Sequence, residues 1–125
     1  MDLQDIKRII PDELDRFQKL EGGGDPYYFK EWDSIDDNIL RYWFWNKNRT
    51  KKNVKRIFIH ELENLLRRPS QTGEITRSDF ESYCPKTKRD GDCGFAVIVR
   101  ILEFLRIARY DQDSGVILIT VNEKH

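Results

Sequence analysis

Lys47, Arg49, Lys51, Lys52, Lys55 and Arg56 place six basic side chains within ten positions, in a run from Asn46 to Arg56 that contains no acid. Side chains of this type and density suit phosphate contact, where each neutralised phosphate adds salt-dependent affinity for a nucleic acid. Trp45 stands directly before the run and Arg41 four positions earlier, offering a ring for stacking or for an interface, with a further cation beside it. Lys86, Lys88 and Arg89 form a second basic group, and Arg109 adds a cation further on. The plainer readings are a solvated loop and helix start for the basic run, and a cover over the edge of the core for Trp45.

Other site chemistry is not assembled. Asp90-Gly91-Asp92 hints at a metal loop but lacks the remaining positions of a calcium loop. Cys84 and Cys93 stand nine positions apart, and the two histidines, His60 and His125, are a helix residue and the last residue, so no zinc set forms. Gly22-Gly23-Gly24 follows no strand and has no Lys-Ser/Thr nearby, unlike a phosphate-cradling loop. No nucleophile stands with a base. The expectation is a protein without catalysis, metal or cofactor, its two cysteines free thiols in a reducing compartment.

A chain of 125 residues is one domain with at most a small appendage, long enough to bury about two-thirds of its unfolded surface. No stretch approaches the length of an apolar membrane span, and Met1-Asp2-Leu3-Gln4-Asp5 does not begin a signal peptide. A soluble cytoplasmic protein is expected, without a membrane partner. The zero net charge hides a partition. Residues 1–46 carry 6 Lys/Arg and 11 Asp/Glu, net −5; residues 47–110 carry 15 and 8, net +7; residues 111–125 carry 1 and 3, net −2. Such asymmetry permits one face to bind nucleic acid.

The elements that must position these residues read mainly as helices. Leu3, Ile6, Ile9 and Ile10 suggest a helical turn or two, and Pro11-Asp12-Glu13 opens a helix carrying Leu14, Phe17 and Leu20. Glu21-Gly22-Gly23-Gly24-Asp25-Pro26 then breaks the chain and would tether this arm, which either packs on the body or docks on a partner. Tyr27 to Trp32 reads as an irregular aromatic plug. Ser34 to Asn46 is predicted helical, with Ile35, Ile39, Leu40, Tyr42, Trp43 and Phe44 on one arc and Trp45 beside Arg41 on the other. Val54 to Arg68 follows as a helix ended by Pro69. Its leading cations, Lys51, Lys52, Lys55 and Arg56, oppose the helix dipole, an unfavourable placement that argues for function.

Beyond it, Ile75 makes a short strand, and Thr76-Arg77-Ser78-Asp79 has capping-box spacing for a helix from Arg77 to Tyr83, ahead of Pro85. Lys86 to Asp92 is a polar loop, Gly94 to Arg106 a mostly buried helix, and Ile107–Asp111 with Val116–Val121 a hairpin turning at Asp111-Gln112-Asp113-Ser114-Gly115.

From Ile75-Thr76-Arg77-Ser78-Asp79-Phe80 to Ile101-Leu102-Glu103-Phe104-Leu105-Arg106-Ile107-Ala108-Arg109 this pattern resembles winged-helix domains, loosely those that close primase- and helicase-like proteins of plasmids, phages and other mobile elements. The resemblance covers Asn53 to Val121 and implies a mainly α fold with a small β-hairpin. That fold is a winged helix-turn-helix over residues 53–125 with an N-terminal helical extension over residues 1–52. It also implies a module associated with nucleic acid. A groove-reading helix needs polar side chains facing outward, and Gly94–Arg106 supplies only Arg100, Glu103 and Arg106, so base-specific reading is not expected. DNA or RNA would be held by phosphate contacts from Arg41, Trp45, Lys47, Arg49, Lys51, Lys52, Lys55, Arg56, Lys86, Lys88, Arg89 and Arg109. The alternative is a protein-interaction module, a scaffold or adaptor acting as a homodimer or with another protein, built on the apolar third helix.

Overall fold

Aromatic and β-branched residues in period-two alternation take much of the first half of the chain into strands. The computed structural model describes residues 2–68 and 73–120, so Pro69, Val121 and His125 lie outside the described residues. Helix α1 (Leu3–Ile9) is followed by β1 (Arg16–Phe17), β2 (Tyr27–Trp32), β3 (Ile39–Trp45) and β4 (Lys52–Phe58), an antiparallel meander in sequence order. Then come α2 (Ile59–Arg67), β5 (Glu74–Ile75), α3 (Arg77–Tyr83), α4 (Pro85–Asp90), α5 (Gly94–Phe104), β6 (Ala108–Asp111) and β7 (Val116–Ile119). The three short strands pair in the order β5-β7-β6.

The mainly α expectation, a winged helix-turn-helix with a helical extension, is therefore corrected to an α+β fold with two antiparallel sheets. Ser34–Asn46 contains no helix. Asp33 accepts the Ile35 and Asp36 N–H groups, both at 2.9 Å, and turns the chain into β3. A helical wheel puts most of the apolar residues of this segment on one arc, whereas a pleated strand sends alternate residues to opposite sides. Leu40 and Tyr42 are fully buried, while Arg41, Trp43 and Trp45 alternate with them. In the expected helix Val54–Arg68, the part up to Phe58 is strand, so the cations precede the helix by several residues and do not oppose its dipole. Tyr27–Trp32 is a strand, and the helix expected from Pro11 is a turn followed by β1, with the Ile10–Pro11 peptide cis.

Locally encoded elements form as expected. Thr76 and Asp79 cap α3 reciprocally, with Asp79 N donating to Thr76 Oγ1 at 3.1 Å and Thr76 N to Asp79 Oδ2 at 2.9 Å. The turn between β6 and β7 has Gly115 at φ 74°, a conformation few side chains tolerate. The arm is docked: Ile6, Ile9 and Ile10 of α1 and its exit join a single core with Phe17, Leu40, Tyr42 and Ile57 of the sheet and Leu62, Phe95, Ile98 and Leu102 of the helices. Fully burying one such side chain contributes roughly 1.5–3 kcal/mol.

One polar junction fastens sheet to helices. Thr87 of α4 is 1% exposed and Glu61 of α2 4% exposed. The Thr87 hydroxyl donates to Glu61 Oε1 at 2.8 Å and accepts the Phe58 N–H at 3.0 Å. Glu61 also takes the Thr87 and Lys86 N–H groups at 2.9 Å each, capping the start of α4 from 25 residues away. That cap makes a helix of the expected polar loop. Asp90 at the far end of α4 accepts the Arg56 N–H at 2.7 Å, so α4 satisfies two N–H groups of the edge strand β4. Gly94 lies against the junction, where an added Cβ would come within 2.8 Å of Thr87 Cγ2.

Thr87→Val keeps the shape but strands a buried N–H and removes one bond from a buried carboxylate, so stability should fall by about 2–4 kcal/mol in urea unfolding. A loss indistinguishable from zero would show the junction to be dispensable. Gly94→Ala should cost about 1–3 kcal/mol by overpacking, read in the same way.

Candidate nucleic-acid interface

The pleat gives the first sheet two unlike sides. Toward the helices face Phe17, Tyr27, Phe29, Leu40, Tyr42, Phe44 and Ile57. On the other side the register sets Arg16 opposite Tyr28, Tyr28 opposite Trp43, Trp43 opposite Val54, Trp45 opposite Lys52, and Arg41 opposite Arg56. Val54, 41% exposed at the middle of this row, shows that the outer side is uncovered.

The rings of this side are mutually ordered. Tyr28 and Trp43 stack with centroids 4.7 Å apart and planes at 25°, and Trp45 meets Trp43 edge-on at 5.4 Å. The Lys52 ammonium lies 4.4 Å from the Trp43 centroid and 5.4 Å from that of Trp45, held by two ring quadrupoles. Arg49 adds its guanidinium 5.4 Å from Trp45, and Arg16 lies 5.8 Å from Tyr28. Between β3 and β4 the turn is closed by Asn46, whose side-chain oxygen accepts the Thr50 and Lys51 N–H groups at 2.8 and 3.2 Å.

Electrostatics sort the expected contact residues. Arg41 is bound through Nε and Nη2 to Asp33 at 3.1 and 2.8 Å, and Arg56 to Asp90 at 3.0 Å. Arg49 pairs with Asp25, and Lys88 with Asp92 at 3.5 Å. No carboxylate among the described residues lies within ion-pair distance of Lys47, Lys51 or Lys52, so the surplus charge gathers on the β3–β4 hairpin. Lys55 belongs to the other side of β4, opposite Tyr42, with its stem beside Gly91. Lys86 and Arg89 border a shallow cleft with Arg56, Phe58 and Asp90 at the sheet edge, while Arg109 lies on β6 of the second sheet.

Thus Arg41, Trp45, Lys47, Arg49, Lys51, Lys52 and Arg56 gather at the outer side and its hairpin, with Lys86 and Arg89 at the margin. Lys55, Lys88 and Arg109 do not join them. Arg16, Tyr28 and Trp43 belong to the site and escaped sequence reading. The alternation of Arg41, Trp43 and Trp45 against Leu40, Tyr42 and Phe44 is the signal that could have found Trp43. No family model, curated protein or solved structure matches the chain. The site therefore rests on its own geometry.

On the inner side a second cleft, lined by Lys19, Tyr27, Arg77, Asp92 and Cys93 among others, reaches the start of α5. Cys93 Sγ lies 3.0 Å from the Tyr42 hydroxyl, and burial pushes its pKa up, favouring the thiol over the nucleophilic thiolate. Burial pushes the Cys84 thiol up to about 12. Among the described residues no group of His, Cys, Asp and Glu side chains suits a metal ion, and no helix is long and apolar enough to cross a membrane.

Asp33 anchors Arg41 to the turn before β3. The Asp36 and Ile35 N–H groups, then Arg41, lower its pKa from 3.8 to about 2. A depressed carboxylate stabilises the fold in full above its unfolded pKa and loses that contribution as pH falls through the folded value. The stability gap between the native protein and Asp33→Asn should accordingly shrink from pH 3.8 toward pH 2 in acid unfolding curves. A gap constant across that window would remove Asp33 from the acid response.

Proposed function

We propose that the protein is a non-catalytic nucleic-acid-binding module that holds the phosphate backbone along the outer side of the first sheet and the β3–β4 hairpin, with little readout of base sequence. The observation that carries this reading is the surplus of Lys47, Lys51 and Lys52 beside an uncovered aromatic surface whose marginal carboxylates are already paired with arginines and Lys30. Lys86 and Arg89 extend the basic margin beyond Arg56.

A protein-binding role through the apolar α5 has less support, because Gly94–Val99, Ile101 and Leu102 are buried within this chain. Free Cys84 and Cys93 suit action in the reducing cytoplasm.

Replacing Lys47, Lys51 and Lys52 together by glutamine should weaken binding to short DNA and RNA at least about ten-fold at low salt. It should also flatten the salt dependence by about two log units per log unit of salt. Lys88→Gln, in the ion pair with Asp92, should change neither. Unaltered affinity in the triple variant, measured by fluorescence anisotropy, would end the assignment of this surface.

A further inference from the structure

We propose that the form of nucleic acid recognised on this surface is a single strand, whose unpaired bases stack on Trp45, the ring of the three with no stacked partner, beside the Tyr28–Trp43 pair, while Lys52, Lys51 and Lys47 take its phosphates. The inference rests on the nucleic-acid reading above and adds to it the state of the bases.

A base offers its π face to a side chain only when it is unpaired or splayed from its neighbours, and stacking of that kind tolerates any base sequence. Three large rings are half-buried on one side of a sheet, and the neighbouring Val54 is exposed, so no protein layer covers that side. The Tyr28–Trp43 pair spans β2 and β3, and Trp45 extends it along β3 toward the hairpin. Lys52, between the two indoles, is a cation fixed by ring contacts rather than by a carboxylate. A phosphate-binding ammonium thus lies in contact with both indoles, as a phosphate lies beside the bases of a strand.

A duplex would leave the rings unused. Its bases are closed by pairing and stacking, and reading its major groove calls for an exposed helix or ribbon bearing hydrogen-bonding side chains. The longest helix, α5, is buried over most of its length. The carboxylates near the surface, Asp15, Asp25, Glu31, Asp33 and Asp90, each face a cation of this chain, so the remaining lysines confront an incoming polyanion. That complementarity selects a nucleic acid over a neutral or basic protein partner.

The test compares four probes of equal length with the full chain: a single-stranded DNA, its RNA equivalent, the matching duplex, and an abasic strand that keeps the phosphates and lacks the bases. Anisotropy and tryptophan fluorescence are read together. Expected are affinity for the DNA or RNA strand at least about ten-fold above that for the duplex and the abasic strand, and quenching by base-bearing strands alone. Trp45→Ala should lose about ten-fold in single-strand affinity with an unchanged salt slope, the mark of a lost stack rather than a lost phosphate contact.

Equal affinity for abasic and base-bearing strands, without quenching, overturns the stacking inference and leaves the phosphate reading standing. Tighter binding to the duplex does the same. No binding to any probe at low salt overturns both, and then a protein partner is the occupant to seek. The abasic comparison needs no variant, so the outcome stands even if Trp45→Ala does not fold.

Discussion

A buried carboxylate and a buried hydroxyl hold the two halves of this protein in register. Glu61 is expensive to bury unless its oxygens are filled, and it fills them with the N–H groups of Lys86 and Thr87 and the hydroxyl of Thr87. Thr87 is committed in turn to the Phe58 N–H, at the end of the edge strand. One chain of hydrogen bonds thus runs from β4 through α4 to α2. It decides where β4 stops, where α4 begins and how closely α5 approaches at Gly94. Shifting any of these elements would leave a buried polar group without a partner.

The consequence for the site is indirect. With α4 fastened along the β4 edge and α1, α2 and α5 sharing a core with the sheet's inner side, that side is used mostly for stability. Tyr42 spans the joint, its hydroxyl meeting Cys93 at the start of α5 while its ring packs edge-on against Tyr27 at 5.8 Å. The outer side carries no such duty, yet it holds Tyr28, Trp43 and Trp45. Their π faces attract cations, and Lys52, Arg49 and Arg16 supply them.

Charge follows the same division. Arg41 and Arg56 face each other across β3 and β4, a like-charge pair that would weaken the sheet if left alone. Asp33 and Asp90 relieve it, each from a turn or helix end outside the sheet. Those two arginines serve architecture first. The hairpin lysines have no comparable obligation and remain available to an anionic ligand.

What the amino-acid sequence by itself determined is whatever depends on a few consecutive residues. The capping box Thr76–Asp79, the α5 apolar run and the Asp111–Gly115 turn are all of that kind, and so is the basic run at Lys47–Arg56. The same local reading failed at Ile39–Trp45, because an almost continuously apolar segment satisfies a helical arc and a pleat equally. Only the hydrogen-bonding partners on β2 and β4, reached across turns, favour the strand. It failed again at Lys86–Asp90, where the helix start is capped by Glu61 rather than by a neighbour in sequence. The candidate site shows the division most clearly: its charges were legible as a run, but their grouping with Tyr28 and Trp43, and the parting of Lys55 from Lys52, follow from the two-residue period of a strand. That strand exists only because tertiary contacts pay for its order.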